Sequence, residues 1–314
     1  MNTKIIDEIL DTLELKKYSY TLIKYPEHSR KSVDLIINSR EPAIVKFSAN
    51  EKVSKDEIAD LKKLAVSSNK ASLIITNEEQ DDIVSIKADN VFAISPEGLM
   101  RVLNGEKIFL YRTRGGIFIK IRHDVLKTRR EMIGYSIGDL AKLLGVSRKA
   151  IYDYERGDSD VSLEIAERLI DLFGDEIIGD IIRDSVKVKR DLEEEDEVSD
   201  TSVENFKVKL IHILKEEGLK VLSLKLTAVD LIVKPSGDKN EKYMIVIEGK
   251  DYAKSLKKFN EAKKIASYTN SELLVVSRSS RVMRECESLG YKTYEENSIH
   301  SLIDEIKGDS GGKS

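Results

Sequence analysis

Apolar and polar positions divide the chain into three stretches with different periods. Residues 1–120 mix amphipathic helical stripes with short apolar runs, 121–187 carry helical spacing alone, and 203–307 mix the two again. In the first stretch Ile5–Leu15 shows a helical stripe, and "SVDLIINSREPAIVKF" reads as two strands about a turn. "DEIADLKKLAVSSNKASLIITN" then reads as an amphipathic helix feeding a fully apolar strand. The last stretch repeats the order with a stripe over Phe206–Glu217, "AVDLIVKPSGDKNEKYMIVIEGK" and "KKFNEAKKIASYTNSELLVVSR". An α-β-β-β-α-β order with buried strands predicts an α/β domain over 1–106 and another over 203–307. The shared "VDLI" and the matched helix-to-strand spacing favour an internal duplication over chance likeness.

Between these stretches, "KIFLYRTRGGIFIKI" (107–121) alternates and reverses at Arg114-Gly115-Gly116, the signature of a hairpin. It is either a wing carrying Arg112 and Arg114 to a DNA backbone or a connector with solvated arginines. Residues 122–187 are expected to form an all-α domain. The run "KVKRDLEEEDEVSDTS" has almost nothing to bury, so 188–202 is expected to be a solvated acidic linker, with a fraying helical extension as the alternative. Residues 308–314 are expected to be a disordered tail.

Composition narrows the chemistry. One cysteine, Cys286, excludes an intramolecular disulfide and a cysteine-cluster zinc site, and the four histidines are scattered. No apolar run approaches the length of a membrane span, and the N-terminal stretch is amphipathic rather than a signal peptide. A cytoplasmic protein without membrane partners is therefore expected. The net charge of −4 gives no global nucleic-acid signature, so any DNA affinity must be local. Residues 120–157 supply it, with nine Lys or Arg against five Asp or Glu.

That basic stretch has a distinct grammar. Ser136, Ser147 and Ser162 can each cap a short helix, while Gly134, Gly145 and Gly157 can each stop one. Leu126, Ile133, Leu140, Ala141, Leu144, Val146, Ile151, Ile165 and Leu169 fall where the helices must pack. The string "SIGDLAKLLGVSRKAIYDYERG" resembles the lambda-repressor-like helix-turn-helix, or XRE, family. The resemblance implies that the helix after the turn enters the major groove of double-stranded DNA. It makes Arg148, Lys149 and Tyr152 base or groove contacts, Ser147 a phosphate contact, and Lys127, Arg129, Arg130 and Arg156 candidate phosphate contacts. It also implies pairing as a homodimer. Two departures stand out: Ile137 replaces a common Gln, and Asp153 sits where a basic or polar residue is usual, needing a partner such as Lys149 or Arg156.

The last stretch carries a second constellation, Asp230 with "IEGK" (247–250). Residues two apart on a strand share a face, so Glu248 and Lys250 are expected to point together while Asp230 approaches from the neighbouring strand. Two carboxylates can hold Mg²⁺, and a lysine beside them can activate water for phosphodiester hydrolysis. The pattern resembles the PD-(D/E)xK nuclease fold and its order is similar to Holliday junction resolvases, which adds Glu204 as a weak match for an acid on the first helix. In the first stretch Asp34 remains, but Phe47 and Ala49 stand where Glu and Lys would align.

The expected architecture is thus α/β plus all-α: two restriction-endonuclease-like domains flanking a helix-turn-helix bundle. Over most of its length the chain resembles a family of archaeal helix-turn-helix transcriptional regulators. The leading reading is a sequence-specific DNA-binding regulator with no cofactor. The alternative is a Mg²⁺-dependent endonuclease or resolvase that uses Asp230, Glu248 and Lys250, with the first two as metal ligands.

Overall fold

A computed structural model of the chain describes residues 3–27, 29–48, 52–187, 202–235 and 241–308. The first stretch forms α1 (Thr3–Leu15), β1 (Ser19–Leu22), β2 (Leu35–Asn38), β3 (Ala43–Phe47), α2 (Lys55–Ser67), β4 (Ala71–Ile75), β5 (Ile83–Ala88), β6 (Val91–Ile94) and α3 (Pro96–Leu103). The apolar run "ASLII" becomes β4, buried at every position, because it lies parallel between β3 and β6. Ser54 and Glu57 form a reciprocal capping box that starts α2.

The hairpin belongs to this domain. Its strands β7 (Leu110–Thr113) and β8 (Gly116–Ile119) extend the same sheet, β7 parallel to β5 and β8 antiparallel to β7. The short β9 (Val161–Ser162) completes a nine-stranded order β1-β2-β3-β4-β6-β5-β7-β8-β9. The connector reading is the one this geometry favours. Arg112 lies 3.6 Å from Glu79 rather than free for a DNA backbone, while Arg114 stays exposed at the tip.

The helical stretch forms α4 (His123–Ile133), α5 (Ile137–Leu144), α6 (Arg148–Arg156), α7 (Leu163–Phe173) and α8 (Ile181–Lys187). Leu126, Leu140, Ala141, Leu144, Ile151 and Leu169 are buried together, with Val146 and Ile165 packed against them. Ile133 is a correction: it is 52% exposed, because it ends α4 on the side away from this core. The helix α8 also departs from the expected division, since Ile181 and Ile182 join the core of the first domain. Of the expected linker (188–202) and tail (308–314), Ser202 begins α9 and Gly308 caps α12, while the rest lie outside the described residues.

The last stretch forms α9 (Ser202–Glu216), β10 (Lys220–Ser223), β11 (Leu231–Lys234), β12 (Tyr243–Ile247), α10 (Tyr252–Tyr268), β13 (Glu272–Ser277), α11 (Ser280–Ser288), β14 (Lys292–Glu295) and α12 (Ile299–Lys307). Its sheet order, β10-β11-β12-β13-β14, follows the antiparallel, antiparallel, parallel, parallel pairing of β1-β2-β3-β4-β6. Duplicated topology is therefore visible in the structure as well as in the text.

The two α/β domains share one core. Ile36, Leu61, Leu64 and Ile74 of the first pack in the same buried cluster as Ile232, Met244, Phe259 and Ile265 of the second. The seam is reciprocal. Asp60, in "DLKKLA" of α2, accepts the backbone N–H groups of Lys225 (2.9 Å) and Leu226 (2.6 Å). Glu261, in "EAKKIA" of α10, accepts the N–H of Lys24 at 2.6 Å. Lys24 and Lys225 each lie two residues beyond the equivalent strands β1 and β10. One surface thus meets its own duplicate, as in an isologous dimer. Each fully buried aliphatic or aromatic side chain in the seam contributes about 1.5–3 kcal/mol, so apolar burial dominates while the acids satisfy backbone donors.

Replacing Asp60 with Ala leaves the Lys225 and Leu226 N–H groups unpaired and is expected to destabilise the chain by about 1–3 kcal/mol in urea unfolding. A change below about 0.5 kcal/mol would show that the seam does not need it. Cys286 is buried in the shared core, and burial pushes its thiol up to about 11. The native chain is expected to resist alkylation near pH ~8 and to react once unfolded. Rapid labelling of the native chain would contradict this burial.

Candidate nucleic-acid interface and the nuclease-like centre

The turn between α5 and α6 sets how α6 is presented. Gly145 ends α5 with φ +70°, a left-handed conformation that favours glycine, and Ser147 then caps α6 by accepting the N–H of Ala150 at 3.0 Å. Ser136 starts α5 in the same way, and its hydroxyl and N–H hold the Asp139 carboxyl below the usual carboxylate range. Arg168, from α7, donates to the Leu144 carbonyl at 2.8 Å and so closes the end of α5. Sequence reading missed this cap, because its donor comes from another helix.

These constraints leave one face of α6 outward. Ser147, Arg148, Lys149, Tyr152 and Arg156 are all exposed. Arg148 lies across Gly138, where an added Cβ would sit 3.0 Å from its Nε, so the glycine gives this guanidinium room beside the start of α5. Lys149 pairs with Asp153 at 3.6 Å, which supplies the partner Asp153 needs. Arg156 donates to the Tyr152 hydroxyl at 3.0 Å and to Asp158 at 2.8 Å, and its guanidinium carbon lies 5.3 Å from the Tyr152 ring centroid. The aromatic ring and the cation therefore form one exposed unit.

The candidates on α4 divide. Lys127 is exposed, and Arg129 is half-buried and paired with Glu176. Arg130 is a correction. Its side chain is buried, its guanidinium grips both oxygens of Glu155 on α6, and its NH1 donates to the Tyr135 carbonyl at 2.8 Å. A guanidinium buried in this pairing fixes α4 against α6 and is not presented to a phosphate.

The nuclease-like residues are not gathered as expected. β12 ends at Ile247, so the two-residue strand rule does not reach Glu248 and Lys250. Glu248 is buried and turned toward α11, its Oε2 accepting from the Ser277 hydroxyl (2.5 Å) and the N–H groups of Arg278 (2.8 Å) and Ser279 (3.1 Å). Asp230 accepts the Ile247 N–H at 2.7 Å and is paired with Lys258 of α10 at 2.6 Å. Lys250 is exposed beside the start of α10. The Glu204 side chain lies outside the described residues. This donor set is a poor match for Mg²⁺: the Lys258 ammonium lies against one Asp230 oxygen, and Glu248 turns one oxygen to three donors at the start of α11 instead of toward Asp230. Among the described residues, no cluster of three His, Cys, Asp or Glu side chains could hold a metal ion.

The first domain needs a register correction. Asp34 accepts the Phe47 N–H at 2.7 Å as Asp230 accepts that of Ile247, so Phe47 corresponds to Ile247. Ser48 therefore stands in the place of Glu248, each donating its N–H to the adjoining strand at 2.9 Å. Ala49, the expected lysine position, lies outside the described residues. Asp34 is flanked by Lys31 (2.9 Å) and Lys46 (3.8 Å), and Lys46 also meets Glu57 at 3.2 Å.

Fold and exposed helix together define a class: a PD-(D/E)xK-type α/β scaffold carrying a lambda-repressor-like helix-turn-helix. A PD-(D/E)XK superfamily domain matches residues 2–108, and a helix-turn-helix domain matches 126–176. Over 311 residues the chain is 68% identical to a Saccharolobus solfataricus protein named "Putative HTH-type transcriptional regulatory protein", covering 99% of each. A protein of that name from Saccharolobus islandicus (strain M.14.25) is 67% identical over 314 residues and all of both chains. One from Sulfurisphaera tokodaii is 40% identical over 296 residues, covering 94% of this chain and 97% of its own. The chain belongs to this family of helix-turn-helix transcriptional regulatory proteins. No solved structure gives a significant match.

Breaking the buried pair by Arg130→Ala strands Glu155 and is expected to cost about 3–5 kcal/mol, read by chemical unfolding. The exposed Arg156→Ala should cost less than about 1 kcal/mol. Equal effects would show that Arg130 is not part of the helix packing.

Proposed function

We propose that this chain is a sequence-specific DNA-binding transcriptional regulator that reads the major groove with α6. The observation that carries the reading is the outward presentation of Arg148, Lys149 and Tyr152 on a helix whose opposite side is locked by Ile151 and by the Arg130–Glu155 pair. Arg148 and Lys149 serve as base-edge donors, Tyr152 and Arg156 as a groove-wall unit, and Ser147 with the free N–H groups at the helix start as a phosphate contact. Lys127 extends the phosphate track from α4. Arg129 is held by Glu176 and contributes to it less.

Two copies bind as a homodimer on half-sites about one helical turn apart, the spacing at which paired recognition helices of this type meet the same groove. The duplicated α/β domains hold each reader on a rigid base, and the chain acts in the cytoplasm beside its DNA. No helix among the described residues is long and apolar enough to cross a membrane. Cleavage is not part of this reading, because Lys258 lies against Asp230 and Glu248 is turned toward α11.

Once an operator is selected from genomic fragments, Arg148→Ala and Lys149→Ala should each weaken binding by about 1–3 kcal/mol, roughly five- to 150-fold. Fluorescence anisotropy at fixed salt reads this directly. Unchanged curves for both variants would remove α6 from the interface.

A further inference from the structure

The centre that departs from nuclease chemistry opens onto a cavity of about 280 Å³ between the two α/β domains, lined by Tyr25, Lys250, Asp251, Lys254, Ser255 and Lys258. Its charge is the reverse of a divalent-cation site. Three lysines line it. The ammonium of Lys258 is met by Asp230, while among the described residues neither Lys250 nor Lys254 has a carboxylate partner. The one carboxylate in the lining, Asp251, accepts the Lys254 N–H at 2.8 Å as the cap of α10.

The duplicated domain shows what changed. In the alignment of "DLKKLA" with "EAKKIA", Glu57 of α2 occupies the position of Lys258. At that first locus Lys31, Lys46 and Arg30 each meet a carboxylate, Asp34 or Glu57. In the second domain the helix position has become a lysine and Val246 has replaced Lys46. The cation that neutralises Asp230 therefore arrives from the helix, leaving Lys250 and Lys254 unmatched at the cavity mouth.

We infer that this cavity binds a phosphate-bearing anion. Ammonium groups act as point-charge partners for phosphate, and the start of the seventeen-residue α10 adds its positive dipole end. The buried Ser255 hydroxyl bridges the Gly249 N–H and the Asp251 carbonyl, which fixes the loop that carries Lys250. A volume at the small end of ligand cavities takes one or two phosphate groups rather than a whole nucleotide. The phosphate belongs either to a DNA backbone or to a free phosphate ester. The inference does not depend on how α6 reads DNA.

The test is isothermal titration calorimetry of the full chain with inorganic pyrophosphate at low salt. Wild type is expected to bind, and a Lys250→Ala/Lys254→Ala variant to bind at least tenfold more weakly with an unchanged melting profile. Lys16→Ala/Lys209→Ala, which removes two lysines outside the cavity, should bind as wild type does. Absence of binding to wild type, or equal binding by the cavity variant, would overturn the site. A second arm uses Arg148→Ala/Lys149→Ala with a non-specific duplex. Displacement of the duplex by pyrophosphate identifies the backbone as the source, and pyrophosphate binding without displacement identifies a free ester.

Discussion

Burial of α2 and α10 between the two sheets is the constraint from which the rest of the molecule follows. Each helix puts apolar residues into a common core and also buries one acid, Asp60 or Glu261, in that seam. Apolar burial supplies most of the free energy, while the acids take backbone N–H groups of the opposite domain that would otherwise be left without acceptors. The duplicated domains therefore act as one body rather than two beads on a string. The helix-turn-helix is tied to it twice, through the β7–β8 hairpin in the sheet and through α8 in the first domain's core.

That anchoring explains the division of labour within the reading domain. Its inner side is specified by packing and by one buried ion pair, which join α4 and α6 before any DNA is present. Its outer side is left to charged and aromatic residues that few protein contacts restrain. Pre-organisation of this kind lowers the ordering cost of any binding at that outer face. In the nuclease-like fold, Asp230 and Glu248 have structural partners in Lys258, Ile247 and Ser277.

Much of this was legible in the sequence, and the parts that were not share a cause. Helix ends were readable at Ser136, Ser147, Gly145 and Gly157, because capping is decided within a few residues. The succession of helices and strands was readable from "VDLI" and the apolar runs that follow, while the order of strands in the sheets was not. Partners distant in sequence were not. Nothing near Arg130 says that Glu155 will bury it, and nothing near Asp230 says that Lys258, a full helix away, will neutralise it. The alignment of Phe47 with Glu248 failed by one residue because only the Asp34 and Asp230 hydrogen bonds fix the register. Asp60 and Glu261, acids set in apolar helix stripes, were the available signal for the shared core.

The central claim is that the chain reads DNA and leaves it intact. The most direct measurement incubates supercoiled plasmid with the protein in Mg²⁺ or Mn²⁺, at concentrations where a shift assay shows full binding. The account predicts bound but uncut plasmid. Metal-dependent nicking that disappears in Glu248→Ala would contradict it and make the helix-turn-helix the targeting arm of a nuclease.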